Sequence, residues 1–222
     1  MAKQGGDKIT RFIVIGMVAL VVIVGVFFSM NSGSKKSAIP VVAESANGYA
    51  ISFNSELKGA PVVDLWEDFQ CPVCQHFEGV NGAWLQKQIA AKTVKVSFHI
   101  LSFLGPESIL MANAAACAAD DNKFLELHNL MYANQSAKEN SGFWTPDILT
   151  KAGTAVGITS PAFAACVKEG KYLGWVQKVA DDGAKKNVNS TPTLFVNGKE
   201  LNRQTQYYDA KAFEAVVLAN GK

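Results

Sequence analysis

The most constraining feature of the sequence is an uncharged run of nineteen residues, Phe12 to Met30, of which sixteen are hydrophobic. A helix of this length is about 28 Å long, close to the ~30 Å hydrocarbon core of a bilayer. A cleavable signal peptide, the main alternative, has a shorter apolar region that ends in small residues. The segment Phe27–Asn31 offers no such cleavage site. We therefore expect an uncleaved transmembrane helix at residues 12–30.

Positive charges flank this run and predict its orientation. Lys3, Lys8 and Arg11 precede it, and Lys35 and Lys36 follow it. Because Lys and Arg favour the cytoplasmic side of a membrane, we expect a cytoplasmic amino terminus. The chain then divides into a cytoplasmic tail at residues 1–11, a transmembrane helix at 12–30, a linker at 31–46 and one outer domain at 47–222.

The composition excludes several classes of protein. A net charge of +2 over 222 residues lacks the basic excess of a nucleic-acid-binding protein. A hydrophobic fraction of 49% excludes extensive disorder. Four cysteines are too few for a small disulfide-stabilised scaffold, but they suffice for one redox-active pair and one further pair.

The outer domain combines strand and helix patterns. Strands are predicted at residues 49–53, 61–69 and 93–103, and a hairpin at 193–201. Helical periodicity is predicted at about 72–92, in three or four helices at about 107–187, and at 209–219. This order of elements predicts an α/β or α+β domain, with a central sheet and a helical insertion at about 107–187.

The segment Cys71-Pro72-Val73-Cys74 lies where a predicted strand gives way to a helix. At a helix start, unpaired backbone N–H groups and the helix dipole favour an anion, which suits a thiolate at Cys71. Cys74 lies one turn further on and can attack a mixed disulfide at Cys71. We interpret Cys71 as a nucleophile and Cys74 as a resolving thiol, with a structural disulfide or half of a metal site as alternatives. Haem attachment needs His directly after the second Cys, where Gln75 stands.

Two segments resemble one known family. Residues Asp68–Cys74 (DFQCPVC) resemble the active-site segment of DsbA-type thiol:disulfide oxidoreductases, especially membrane-tethered bacterial ones. Residues Ser190–Gly198 (STPTLFVNG) resemble the cis-proline loop and hairpin of the same thioredoxin-like family. The resemblance covers about residues 47–222. It implies a thioredoxin-like fold in which Thr191 and Pro192 lie beside the nucleophile and receive an extended substrate segment.

The resemblance also implies an activity, partners and a location. A disulfide between Cys71 and Cys74 would oxidise unfolded or reduced secreted and envelope proteins by dithiol–disulfide exchange, with no bound cofactor and no metal. A recycling partner, such as a membrane quinone-linked oxidase, would restore the disulfide. The catalytic domain is expected outside the cytoplasm, held at the cell membrane by the N-terminal helix. A reductase or isomerase of the same fold, and a non-catalytic chaperone or metal-binding module, are the alternatives.

The sequence departs from the family pattern at two positions. Many members carry a buried acid six positions before the nucleophile, where this chain has Leu65. Glu67 shares the parity of Leu65 along the strand and is the candidate proton-transfer acid, whereas Asp64 has the opposite parity. The interpretation favoured from the pattern alone is that both are solvent-exposed strand charges. Val73 stands where strongly oxidising members often place His, so a strong oxidising potential does not follow from the motif.

The remaining cysteines and the histidines have simpler interpretations. Cys117 and Cys166 lie in the helical insertion and are expected to form a structural disulfide, with buried free thiols as the alternative. His76, His99 and His128 share no metal-ligand spacing, and each is expected to be a surface residue or a hydrogen-bonded core residue. No metal site is predicted.

Overall fold

The structure is a computed structural model that describes residues 38–40, 42–44 and 47–221. The predicted cytoplasmic tail and transmembrane helix lie outside these residues, and so does most of the predicted linker. Among the described residues, no helix is both long and apolar enough to cross a bilayer. The division of residues 1–46 therefore stays a prediction.

Six strands of the described residues form one mixed sheet. They are β1 (Ala43–Glu44), β2 (Ala50–Phe53), β3 (Val62–Glu67), β4 (Lys95–Ile100), β5 (Thr193–Val196) and β6 (Lys199–Glu200), and their order in space is β1-β2-β4-β3-β5-β6. The central strands β3 and β4 run parallel, while β5 pairs antiparallel with β3. The hairpin predicted around Asn197 is present as β5 and β6. This arrangement places the end of β3, just before Cys71, in the middle of the sheet.

Eight helices lie in the same part of the chain. They are α1 (Pro72–Ala90), α2 (Pro106–Asp120), α3 (Phe124–Ala133), α4 (Pro146–Ala155), α5 (Pro161–Glu169), α6 (Leu173–Lys185), α7 (Arg203–Gln206) and α8 (Ala210–Ala219). The final helix begins after Asp209, whose side chain accepts hydrogen bonds from two backbone N–H groups, as the predicted cap requires.

The helical insertion contains five helices, α2 to α6, so the prediction of three or four was wrong. The missed boundary lies between α2 and α3, where the chain turns at Asn122 with a φ of 56°. Asn tolerates this left-handed conformation, so the break needs neither the Gly nor the Pro that marked the other boundaries.

Helices cover the sheet on both faces near the end of β3. Leu65 and Trp66 point to opposite faces, yet both are buried. On the Trp66 face, α6 approaches so closely at Gly183 that an added Cβ would lie 3.1 Å from the indole ring. Because helices cover both faces of the sheet here, a side chain at the end of β3 is buried whichever face it points to.

The disulfide predicted in the insertion is confirmed. Cys117 of α2 is bonded to Cys166 of α5, with their Cα atoms 6.0 Å apart. Closing this loop restricts the unfolded chain and contributes about 2–4 kcal/mol to stability. Cys71 and Cys74 are both free thiols.

Candidate active site at Cys71 and Cys74

The two cysteines lie at the junction of β3 and α1, with different access to solvent. Cys71 is the residue before the first turn of α1, and Pro72 begins the helix without needing an N–H partner. Backbone hydrogen bonds from Cys71 N to Asp68 O (3.0 Å) and from Cys74 N to Cys71 O (3.1 Å) fix this turn. Cys71 retains 5% exposure, whereas Cys74 has none. Substrate can therefore reach Cys71 but not Cys74.

The surroundings of the two thiols separate their acidities. The Cys74 thiol donates a hydrogen bond that favours the Cys71 thiolate, the Thr191 side chain adds to this effect, and the pKa of Cys71 falls to about 6 although burial opposes it. Burial, the Cys71 sulfur and the Glu67 carboxylate all raise the pKa of Cys74 well above its ordinary value. At neutral pH, Cys71 is thus the nucleophile and Cys74 holds its proton.

The loop before β5 closes over Cys71. The Thr191–Pro192 peptide bond is cis, and the carbonyl oxygen of Thr191 lies 3.5 Å from the Cys71 sulfur. Arg203 holds the loop in place by donating hydrogen bonds to the carbonyl oxygens of Thr191 (3.3 Å) and Pro192 (2.6 Å), and to Ser190 Oγ (2.7 Å). Sequence inspection missed Arg203, because a single Arg eleven residues past the proline carries no local signal.

A groove of about 470 Å³ leads to the exposed side of Cys71. Its walls include Phe103, Leu104, Val188 and Thr191. Phe103 is 46% exposed and Val73 44%, so apolar side chains flank the nucleophile at the surface. This combination of an apolar groove and an accessible loop backbone suits an extended, unfolded peptide.

A buried hydrogen-bond network holds the turn that precedes Cys71. Asp68 accepts hydrogen bonds from Gln70 N (2.9 Å), Ser108 Oγ (2.7 Å) and Leu104 N (3.1 Å). Burial raises the pKa of Asp68, although these hydrogen bonds oppose the rise. From the insertion, Gln135 Nε2 donates to the carbonyl oxygens of Phe69 (2.7 Å) and Cys71 (3.1 Å).

Glu67 is fully buried, so the interpretation of this residue as a solvent-exposed strand charge was wrong. Its carboxylate is 2.6 Å from His128 Nε2, in a pair whose partners are 0% and 1% exposed. Burial alone would lower the pKa of His128, but the Glu67 charge outweighs it and the pKa rises to about 9. Asp64, on the opposite parity, pairs with His99 at 3.3 Å and is 19% exposed. Both histidines are hydrogen-bonded core residues, as predicted.

Glu78 completes a cluster with this pair. One ligand atom from each of Glu67, Glu78 and His128 lies within 4.8 Å of the others, close enough to hold a metal ion. However, His128 Nε2 already forms the 2.6 Å hydrogen bond with Glu67. The two carboxyl groups and the imidazole therefore lie close enough to influence one another's protonation.

Comparisons with known proteins agree with this geometry. The family model described as Thioredoxin matches residues 56–213. Disulfide bond formation protein D of Bacillus subtilis is 27% identical over 176 residues, which cover 73% of this chain and 78% of that protein. Reduced DsbA of Mycobacterium tuberculosis is 27% identical, with a TM-score of 0.65 over 77% of this chain and 91% of that one.

A further structure supports the fold. MdbA, a thiol-disulfide oxidoreductase from Actinomyces oris, superposes with a TM-score of 0.72 over 84% of this chain and 94% of that one, at 21% identity. The thioredoxin-like α/β fold, with a central sheet and helices, is thereby confirmed. The chain belongs to the thioredoxin family and, within it, to the DsbA-like thiol:disulfide oxidoreductases.

Proposed function

We propose that this chain forms disulfide bonds in proteins outside the cytoplasm, with Cys71 and Cys74 as its redox-active pair. The observation that carries the proposal is the difference between the two thiols. Cys71 is accessible and acidic, with a pKa of about 6, whereas Cys74 is buried and keeps its proton. A pair of this kind exchanges disulfides in one defined order.

In the oxidising direction, a substrate thiolate attacks the Cys71 sulfur of the disulfide. The bond between Cys71 and Cys74 breaks, Cys74 leaves as a thiolate, and a mixed disulfide forms. A second substrate thiolate then attacks the substrate sulfur of the mixed disulfide and releases Cys71 as a thiolate. The substrate loses two electrons, and the enzyme gains them as two reduced cysteines.

The residues around the pair serve this exchange. The loop at Thr191 and Pro192 receives the substrate as an added strand, which directs the substrate sulfur at Cys71. Glu67, buried and close enough to raise the pKa of Cys74, is the acid through which the Cys74 thiolate gains its proton. No bound cofactor enters the reaction.

Mixing experiments with a reduced, unfolded model substrate test this function. The oxidised wild-type protein should form substrate disulfides while its own pair becomes reduced, and Cys71→Ser should form none. Cys117→Ala/Cys166→Ala is the matched control, because it removes two cysteines without touching the active pair. If Cys71→Ser oxidises substrate as well as the wild type does, the active pair is only structural and the proposal is wrong.

The location and the partners are part of the proposal. The uncharged run at residues 12–30 supports attachment to the cell membrane, and its flanking charges support an outer catalytic domain. A recycling partner, such as a membrane quinone-linked oxidase, would accept the electrons. A reporter fused after Lys222 should be active only outside the cytoplasm. Activity confined to the cytoplasm would contradict the proposed topology.

A further inference from the structure

The proton that Cys74 takes up and releases has no direct route to solvent, because Cys74 and the Glu67–His128 pair are all buried. We propose that Glu78 exchanges this proton with solvent, through the groove between α1 and α3. The inference rests on the proposed function and extends it. It adds a second acid to the reaction, at a position different from the family's usual acid position, which is Leu65 here.

Glu78 is the member of the cluster that faces a groove. The groove measures about 320 Å³ and is lined by Gln75, Glu78, Gly82, Gln86, Asn129 and Tyr132. Glu67 and His128, by contrast, do not line it. Because Glu78 lies within 4.8 Å of both, it connects the buried pair to the groove.

The position of the Glu78 carboxylate depends on a glycine. A Cβ added at Gly82 would lie 2.5 Å from Glu78 Oε2, so the side chain folds back along its own helix into the space that the glycine leaves. Any larger residue at this position would displace the carboxylate. The sequence thus provides room for this carboxyl group next to the buried pair.

The hydrogen bonding of the cluster is incomplete in a way that a proton would complete. Glu67 Oε2 and Glu78 Oε1 are both buried without a hydrogen-bond partner. Two carboxylates and one imidazolium leave an excess negative charge in a largely buried cluster, which is costly. A proton on Glu78 removes that excess and supplies a donor.

The charges and the burial around the cluster make Glu78 the carboxyl group that exchanges a proton near neutral pH. Burial, together with the charge of Glu67, raises the pKa of Glu78 to about 8, although His128 opposes the rise. From α3, Tyr132 also faces the cluster, and burial raises its pKa far above neutral. Two more ionisable groups act on the neighbours of the cluster. Cys71 raises the pKa of Cys74, and Asp68 raises the pKa of Tyr132.

The exchange balances at each step. When the disulfide opens, the Cys74 thiolate takes one proton from the Glu67–His128 pair, and Glu78 restores that proton and becomes a carboxylate. Water in the groove then protonates Glu78 again. On reoxidation the same proton travels outward, so that Cys74 can attack the mixed disulfide between Cys71 and the recycling partner.

The test compares Glu78→Gln with Glu169→Gln in the full-length protein. Glu169 is an exposed carboxylate on α5, which makes its variant a matched control. Oxidised glutathione is mixed with reduced protein, and the rate at which Cys74 displaces glutathione from Cys71 is followed from about pH 5 to pH 10. Alkylation of Cys71 by iodoacetamide is measured on the same samples.

For the wild type and Glu169→Gln we expect a rate profile that changes slope near pH 8. For Glu78→Gln we expect that change to be absent and the rate to fall about 100-fold, while alkylation of Cys71 changes less than twofold. Gly82→Ala keeps the carboxyl group of Glu78 but displaces it, so it should shift the pH at which the slope changes. This variant also tests the inference if Glu78→Gln does not fold.

Three results would overturn the inference. The first is a pH profile that is unchanged from the wild type in both Glu78→Gln and Gly82→Ala. The second is a loss of Cys71 alkylation in Glu78→Gln that equals the loss in the rate of glutathione displacement. The third is stoichiometric bound metal in the wild-type protein that is absent from Glu78→Gln. If instead the wild type shows no exchange with glutathione at any pH, the proposed function itself fails.

Discussion

The hydrogen bond from Cys74 is the largest cause of the low pKa of Cys71, and Cys74→Ala would remove it. A hydrogen bond to a charged group contributes about 1.5–3 kcal/mol, and about 1.4 kcal/mol corresponds to one pKa unit. We therefore expect the pKa of Cys71 to rise from about 6 to between about 7 and 8 in Cys74→Ala. Cys74→Ser keeps a hydroxyl donor and should retain most of the effect.

The measurement is the ultraviolet absorbance of the thiolate as the pH is raised in reduced protein. Alkylation rate is a poorer readout, because a thiolate of higher pKa is also more nucleophilic and the two effects partly cancel. Both variants lack the Cys74 thiol, so one ionisation is observed. Cys74→Ala and Cys74→Ser can then be compared without a second titrating sulfur.

An unchanged pKa near 6 in Cys74→Ala would refute this reasoning. The Thr191 side chain and the backbone N–H groups of Val73 and Cys74 would then hold the thiolate by themselves. Because Thr191 also lies in the substrate loop, Thr191→Val would be the next variant to titrate.

Three further predictions follow from the contacts. Cys117→Ala/Cys166→Ala should lower the free energy of unfolding in urea by about 2–4 kcal/mol, and an unchanged midpoint would contradict this. In the folded protein the pKa of Glu78 is raised from 4.5 to about 8, and that of His128 from 6.5 to about 9. The folded state therefore binds more protons than the unfolded chain, and the free energy of unfolding of the oxidised protein should fall as pH rises from about 5 to 9. An increase in stability over this window would refute the assignment. Arg203→Gln should raise KM for a thiol peptide about tenfold by freeing the substrate loop, with little change in kcat, and an unaltered KM would show that the loop holds itself.

The features that sequence revealed are those encoded over a few residues. The Cys71–Cys74 spacing, the Thr191–Pro192 dipeptide and the Asn197 turn each have a local physical signature. The Cys117–Cys166 disulfide could be predicted because only two cysteines remained. Each of these features is found at its predicted position in the described residues.

The features that sequence did not reveal depend on contacts between distant segments. Glu67 is buried because the insertion covers the end of β3, and its partner His128 lies 61 residues away. Strand periodicity reports alternation, but it does not report whether a helix lies on each face. Arg203 and Glu78 were missed for the same reason, since only the folded chain brings them to the loop and to the buried pair.

The acidity of Cys71 also limits how oxidising the pair can be. At pH 7, ionisation of a thiol of pKa about 6 stabilises the reduced form by about 1.4 kcal/mol, against about 0.4 for the pKa near 7 of thioredoxin and about 4.8 for the pKa near 3.5 of DsbA. The difference from thioredoxin, about 1 kcal/mol, corresponds to about 20 mV. Thiolate stabilisation alone thus predicts a potential near −250 mV, since thioredoxin lies near −270 mV.

A protein of that potential forms disulfides only if a partner keeps it oxidised, so the direction of exchange would be set by reoxidation and not by the pair itself. Equilibration with glutathione measures the potential directly. A value above about −150 mV, close to the ~−120 mV of DsbA, would show that interactions other than the Cys71 thiolate destabilise the disulfide. The buried Glu67 carboxylate would then be the first place to look, because it is one of the groups that raise the pKa of Cys74.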